Sequence, residues 1–298
     1  MSQKKAASTS NILQFFNRRP VSRDPADEIS VGLPRAVVRP SGSRVALAPA
    51  VDLSGKPKVW LTIGSGRVGK TTLLRWAIEE VQASGAQAIC AAADPGPRSL
   101  DRYFEGVAEP PTNDAVAVTQ WLEELFQFVS EEKASAFVDL GGGDTSFARM
   151  LDQTPDLADV MEQAGVPIVA MYIIGPRIDD LAALASFEIA GFRPKATGLV
   201  LNEGLADPSS RDLFDAIVAH SAYRAAIDRG AIELRMPRLL PELFQEIEMK
   251  RLGFAQVRDG KAPEGRRVEM PGPFNRSRVR KWLATMSEEF TPVRSWLP

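Results

Sequence analysis

The chain has one cysteine and one histidine in 298 residues. A disulfide within the chain is excluded, and a structural zinc site lacks the thiolates and imidazoles it needs. Cys90 lies in the apolar stretch AQAICAAA and reads as a buried strand thiol in a reducing compartment. His220, in DAIVAHSAY, stands on an expected helix and reads as structural. Long hydrophobic runs are also missing. No stretch of about 18 uncharged apolar residues exists, so no membrane-spanning helix and no stable membrane insertion are expected. The opening MSQKKAASTSNILQFFNRRP has no apolar run of signal-peptide length, which predicts a cytoplasmic location. Aromatic residues make up only 7%, and Trp60, Trp76 and Trp121 fall at core spacings.

What is present suits a globular α/β protein, with 44% hydrophobic and 25% charged residues. The net charge of −2 is unevenly spread. Residues 1–45 carry eight Lys/Arg against three Asp/Glu, residues 46–249 carry 17 against 30, and residues 250–298 carry 11 against five. An acidic body with basic ends fits either contact with an anionic partner such as nucleic acid or plain solvation of the ends.

Residues 1–55 read as a flexible basic leader, punctuated by Pro20, Pro25, Pro34, Pro40 and Pro49. Within it, Asn11–Phe16 (NILQFF) reads as a docking peptide or as a helical turn lying on the body. From residue 56 to 250, short apolar runs alternate with helical patterns. KVWLTIG, AQAICAAA, SAFVDL, VPIVAMYIIG and ATGLVLN are nearly continuously apolar, as strands covered on both faces must be, and AIELRMP adds a sixth candidate. Interposed helices predict βαβ units, hence a mostly parallel sheet flanked by helices on both faces. Residues 251–298 read as a basic extension ending in a helix, PFNRSRVRKWLATMSEEF.

The strongest chemical signal is GSGRVGKTT, from Gly64 to Thr72. It fits G-x-x-x-x-G-K-[ST] and stands between an expected strand and an expected helix. Its backbone, from Gly64, Ser65, Gly66, Val68 and Gly69 through Lys70, Thr71 and Thr72, is suited to cradle phosphates. Lys70 would face the β- and γ-phosphates, and the Thr71 hydroxyl would ligate Mg²⁺. ADPGPRSLD places Asp94 at the carboxyl end of the second strand, where open α/β sheets bind ligands. FVDLGGGD ends the third strand at Asp139, suited to the Mg²⁺ shell, and Gly141, Gly142 and Gly143 let backbone pass close to a phosphate. DPGP and GGGD are also acceptable simple turns.

These residues resemble the MinD/ParA group of P-loop ATPases, of the SIMIBI class, over about residues 58–250. Asp94, Gly96, Arg98, Leu100 and Asp101 match that group's D-x-G-x-R-x-L-D switch. Asp139 and Gly143 match its D-x-P-x-G, with Gly141 in place of proline, and Asn202 matches its base-side asparagine. Arg235 to Glu246 (RMPRLLPELFQE) resembles its base-side loop and following helix. The resemblance implies ATP and Mg²⁺ as ligands, with Thr71, Asp94 and Asp139 around the metal and Asp94 orienting the attacking water. It also implies an ATP-dependent homodimer. The group's second lysine, which reaches across that dimer, is replaced here by Ser65. Arg67 reads either as its substitute or as an exposed loop residue. Within the group, the run from FVDLGGGDTSFARML through VPIVAMYIIG is most similar to accessory ATPases of plasmid conjugation and stability systems, of the TraL, StbB and MobD kind. That likeness implies a nucleotide switch in plasmid transfer, partition or stability, meeting DNA or a relaxosome or partition protein through the basic ends. A small-molecule P-loop kinase and a non-catalytic nucleotide-binding adaptor are the alternatives.

Overall fold

Six apolar segments pair side by side into one sheet in a computed structural model that describes residues 50–93, 100–142, 145–207 and 213–298. All of these belong to the unit 46–298. The strands are β1 (Val59–Ile63), β2 (Ile89–Ala92), β3 (Ala136–Asp139), β4 (Ile168–Ile174), β5 (Ala196–Asn202) and β6 (Ile232–Met236). Their order is β2-β3-β1-β4-β5-β6, and every pairing is parallel. The α/β fold expected from the apolar runs is therefore present, and β6 belongs to the sheet.

The helices are α1 (Lys70–Ala83), α2 (Ala115–Glu132), α3 (Ser146–Gln153), α4 (Leu157–Gln163), α5 (Ala182–Ile189), α6 (Asp215–Ala219), α7 (Ser221–Asp228), α8 (Pro241–Met249), α9 (Phe254–Asp259) and α10 (Pro273–Glu289). Local chemistry sets several of their ends. Asp114 caps α2 by accepting from the Val116 and Ala117 amides, and Lys133 closes that helix in a left-handed turn. His220 caps α7 through Nδ1, which accepts from the Ala222 amide.

Because side chains alternate across a strand, the sheet divides the apolar residues into two cores. Val59, Leu61 and Ile63 face one core, covered by α2, α3, α4, α5 and the α6–α7 pair. Trp60, Phe137, Val169 and Met171 face the other, covered by α1, α8, α9 and α10. Trp76 lies in this second core, and Trp121 packs partly buried on the first. Cys90 is half-buried against the second core, and burial pushes its thiol up to about 11.

Two segments differ from their expected roles. Residues 251–298 were expected as an extension, yet Leu252, Phe254, Val257, Val279, Trp282, Leu283, Met286, Phe290, Val293 and Trp296 are all buried in the second core. Apolar positions in α10 recur every three or four residues, so the basic side chains fill only its outer face. The last residues of the expected leader are also packed: Leu53 is buried, and the Trp296 indole donates to the Val51 carbonyl. The Lys58 ammonium joins the two segments, donating to the carbonyls of Leu53, Ser295 and Leu297 at 2.7, 2.8 and 3.2 Å. The rest of the leader, with Asn11–Phe16, lies outside the described residues.

None of the described helices is long and apolar enough to cross a membrane.

Candidate nucleotide-binding site

β1 stands between β3 and β4 in the sheet, so the loop that follows it meets the loops after both neighbours at the sheet's carboxyl edge. Of the sequence-predicted residues, Gly66, Arg67, Gly69, Lys70, Thr71, Thr72, Asp139, Gly142 and Asn202 line one cavity there, whereas Gly64, Ser65 and Val68 do not. The loop Gly64–Gly69 leaves β1 and turns into α1 at Gly69, whose φ of 102° is open to glycine. A Cβ at Gly69 would lie 2.6 Å from Asn202 Nδ2, so the close approach demands glycine as well. No side chain caps α1. Its first-turn amides are therefore left for an anion, which the helix dipole also favours.

Lys70 is buried, and its Nζ donates to the Gly64 and Ser65 carbonyls, each at 3.0 Å. Thr71 Oγ1 donates to Asp139 Oδ2 at 2.9 Å, and Thr62 Oγ1 donates to Asp139 Oδ1 at 2.9 Å. Two hydroxyls thus orient the carboxylate that closes β3. A hydroxyl and a carboxylate in contact are hard oxygen donors of the kind Mg²⁺ takes, with water and phosphate oxygens supplying its other ligands. The described residues contain no group of three or more His, Cys, Asp or Glu suited to a metal, and a site of this type requires none. Asp94, expected to complete it, lies outside the described residues, as do Gly96, Arg98 and Gly143.

The loop after β3 rests on the phosphate loop. A Cβ at Gly142 would lie 2.6 Å from both Cα and N of Gly66 and 2.9 Å from Lys70 Nζ. Arg67 is exposed at the loop's crest in a left-handed conformation, φ 66°, which few residues other than glycine and asparagine adopt. Ser65 points elsewhere. Its hydroxyl donates to Asp180 Oδ1, in the 3₁₀ turn Ile178–Leu181 that follows β4. Asp180 Oδ2 accepts from the Arg177 amide, and the carboxylate is buried. The place where the resembling group carries a second lysine is therefore tied down inside its own chain.

Asn202, expected on the base side, lines the same cavity and spends both its side-chain polar atoms within the chain. Its Nδ2 donates to the Val68 carbonyl at 2.7 Å and its Oδ1 accepts from the Gly204 amide at 2.9 Å, so it pins the phosphate loop to the end of β5. A cavity of about 550 Å³ opens beside these groups. Gly66, Arg67, Gly69, Lys70, Thr71, Thr72, Asp139 and Gly142 line its polar end. Met236, Pro237, Leu239, Phe244, Glu248 and Trp282 line the other. Trp282 arrives from α10 and is fixed by its Nε1, which donates to the Pro237 carbonyl at 2.8 Å.

Sequence reasoning missed four of these residues: Thr62, Asp180, Glu248 and Trp282. PRIDDL, directly after an apolar strand, held a signal for Asp180 as a polar group at the ligand edge. Trp282 held one in the apolar stripe of its helix. Glu248 had no local signal.

An all-parallel sheet with a phosphate loop at its switch point is the α/β fold of P-loop nucleotide-binding proteins. No protein-family profile and no curated protein sequence matches the chain. Among solved structures it is similar to the signal recognition particle receptor FtsY from Elizabethkingia anophelis, at 14% identity and a TM-score of 0.42, over 77% of this chain and 66% of that one. The same receptor in complex with GDP matches at 15% identity and a TM-score of 0.39, over 62% of this chain and 58% of that one. Chloroplast FtsY from Physcomitrella patens matches at 14% identity and a TM-score of 0.39, over 61% and 59%. This chain thus spans no more than about two thirds of the length of these neighbours. Likeness at this level concerns the fold alone.

Proposed function

We propose that this protein is a MinD/ParA-like ATPase working as a nucleotide-dependent switch in plasmid transfer, partition or stability. One observation carries the nucleotide reading. Lys70, the uncapped start of α1 and the Thr71–Asp139 pair converge on one cavity that also has an apolar end for a base. The protein's own groups divide the work. The α1 amides and Lys70 hold and neutralise phosphate oxygens, and Thr71 and Asp139 would hold Mg²⁺. Mg²⁺ would supply charge neutralisation on the phosphates when bound. In this reading Asp94 orients the attacking water and the segment after β3, through Gly142, closes over the γ-phosphate.

The same reading gives an ATP-dependent homodimer in the cytoplasm. Because Ser65 is engaged with Asp180, the exposed Arg67 is the cation left on this loop to reach a second subunit. The partner reading is DNA, or a relaxosome or partition protein, met through the basic ends. Exposed Arg278, Arg280 and Lys281 on α10 are suited to that contact. Steep loss of binding with added salt is its expected mark.

The deciding experiment is titration of labelled ATP·Mg²⁺ against the wild type and Lys70→Ala, followed by turnover with and without DNA. Loss of most affinity in the variant, with turnover in the wild type, is expected. Unchanged affinity in Lys70→Ala would refute the nucleotide site, and binding without turnover would leave an adaptor rather than an ATPase.

A further inference from the structure

The charged residues lining the cavity, among those described, are Arg67, Lys70, Asp139 and Glu248. The first three stand on the phosphate loop and at the end of β3. Glu248 stands apart on α8, four residues after Phe244 and so on the same helix face. It shares the apolar end of the cavity with Met236, Pro237, Leu239 and Trp282.

Asn202 and Trp282 also line the cavity, and the polar groups of both are engaged. Asn202 spends Nδ2 on the Val68 carbonyl and Oδ1 on the Gly204 amide, and Trp282 spends its indole N–H on the Pro237 carbonyl. Glu248 is different. Its Oε1 lies 3.9 Å from Arg75 Nη1, too far for a hydrogen bond. Arg75 Nη1 is itself buried without a hydrogen-bond partner. The Arg75 guanidinium is held instead by stacking on Tyr103 and Phe254, at 3.6 and 4.6 Å, and by Nη2, which donates to the Leu252 carbonyl at 2.8 Å. The Arg75 guanidinium therefore stands behind the half-buried Glu248 side chain, which lines the cavity beside apolar neighbours. That carboxylate retains acceptor capacity and offers no donor. A base edge bearing an N–H is attracted to it, and one bearing only lone pairs is repelled.

The geometry points to Glu248 as the residue that reads the base, by accepting a hydrogen bond from an exocyclic purine amine. The inference rests on the nucleotide reading above and adds the group that selects the base. The shared chemistry is the amine, which is N6 on adenine and N2 on guanine.

Two ligand pairs isolate it. ATP against purine riboside triphosphate differs by the N6 amine, and GTP against inosine triphosphate differs by the N2 amine. Isothermal titration of all four on the full chain should show one pair separated by about tenfold or more, because a site built around a hydrogen bond rejects the analogue lacking it. The separated pair names the base. In Glu248→Ala that separation should shrink to about twofold, while affinity for the amine-free member of the pair holds or improves. Removing the charge beside buried Arg75 leaves that cation less compensated, so Arg75→Met/Glu248→Met, which removes both charges, is the second variant and should lose the same separation. Equal binding within both pairs in the wild type overturns the inference while leaving the nucleotide site standing. So does a separation that survives in either variant. Failure of all four nucleotides to bind overturns the nucleotide reading and this inference with it.

Discussion

Replacing Trp282 with alanine tests whether the C-terminal helix is part of the nucleotide-binding body or an appendage to it. Its side chain is only 4% exposed, its ring centroid lies 4.8 Å from that of Phe254, and its N–H bonds the Pro237 carbonyl. Truncating a buried tryptophan costs about 3–5 kcal/mol, since packing is lost and the cavity left behind closes only in part. For a domain of this size each kcal/mol lowers the melting temperature by about 2–4 °C, so a drop of about 6–20 °C is expected. The same indole lines the cavity beside the phosphate loop, and contact with the base in the proposed nucleotide reading would be worth about 1–3 kcal/mol by alanine substitution. Affinity for ATP should therefore fall by roughly five- to 150-fold. Urea unfolding and titration of ATP on one preparation report both effects. Trp282→Phe should recover much of the packing but not the bond to Pro237. A melting temperature and affinity equal to those of the wild type would show that α10 contributes neither to the core nor to the site.

Four further outcomes follow from the same contacts. Gly142→Ala would place a methyl 2.6 Å from the Gly66 backbone, so the loop after β3 should be unable to rest on the phosphate loop. Turnover should fall more than ten-fold or so while the melting temperature stays within a few degrees; normal turnover would show the contact to be dispensable. Asp180→Ala releases Ser65 and should lower ATP affinity by about five-fold or more through a looser loop, an effect that Asp180→Asn, which keeps an acceptor, should largely spare. Equal affinities in both variants would remove Asp180 from the site. Arg67→Ala should weaken ATP-dependent dimerisation in sedimentation while sparing monomer affinity, and normal dimers would mean that no cation crosses from this loop. Burial pushes the Lys58 ammonium down to about 8 from an ordinary 10.5, so the unfolded chain holds the extra proton between those values and this group's contribution to stability rises as pH climbs from 8. Tyr172 and Tyr223, pushed up from 10.0 by burial, act oppositely above pH 10. Cys90, pushed up from 9.0 by burial, also acts oppositely above pH 9, so urea midpoints that rise between pH 8 and 9, and rise less in Lys58→Met, are expected; an unchanged slope in that variant would refute the role given to Lys58.

The parts of this protein visible in its sequence are those governed by short-range pattern. Strands buried on both faces are nearly continuously apolar, and that is how VPIVAMYIIG and ATGLVLN announce β4 and β5. The phosphate loop announces itself because the positive φ of Gly69 and the position of Lys70 at the start of α1 are fixed within nine residues. What stayed hidden depends on strand order. Ser65 meets Asp180 only because β1 and β4 are neighbours in the sheet, and no local pattern in a sequence states that. Asn202 ends β5 as the run ATGLVLN suggests, but its bond to Val68 requires the fold to be known. In α10 the apolar spacing of Val279, Trp282, Leu283 and Met286 was legible, yet the surrounding Arg and Lys residues suggested a free basic arm.

The division of the interior into two cores also decides what light can report. Trp60, Trp76, Trp282 and Trp296 all belong to the layer that carries α1 and α10, and Trp121 alone lies on the other side. Intrinsic fluorescence of this protein is therefore a one-sided signal, weighted towards the face that holds the phosphate-loop helix. Circular dichroism, by contrast, draws on helices from both layers. If the two layers melt together the two curves will superimpose. If the α2–α7 layer loosens first, the dichroism will fall while the emission stays native, and the order of events will be readable without any added probe.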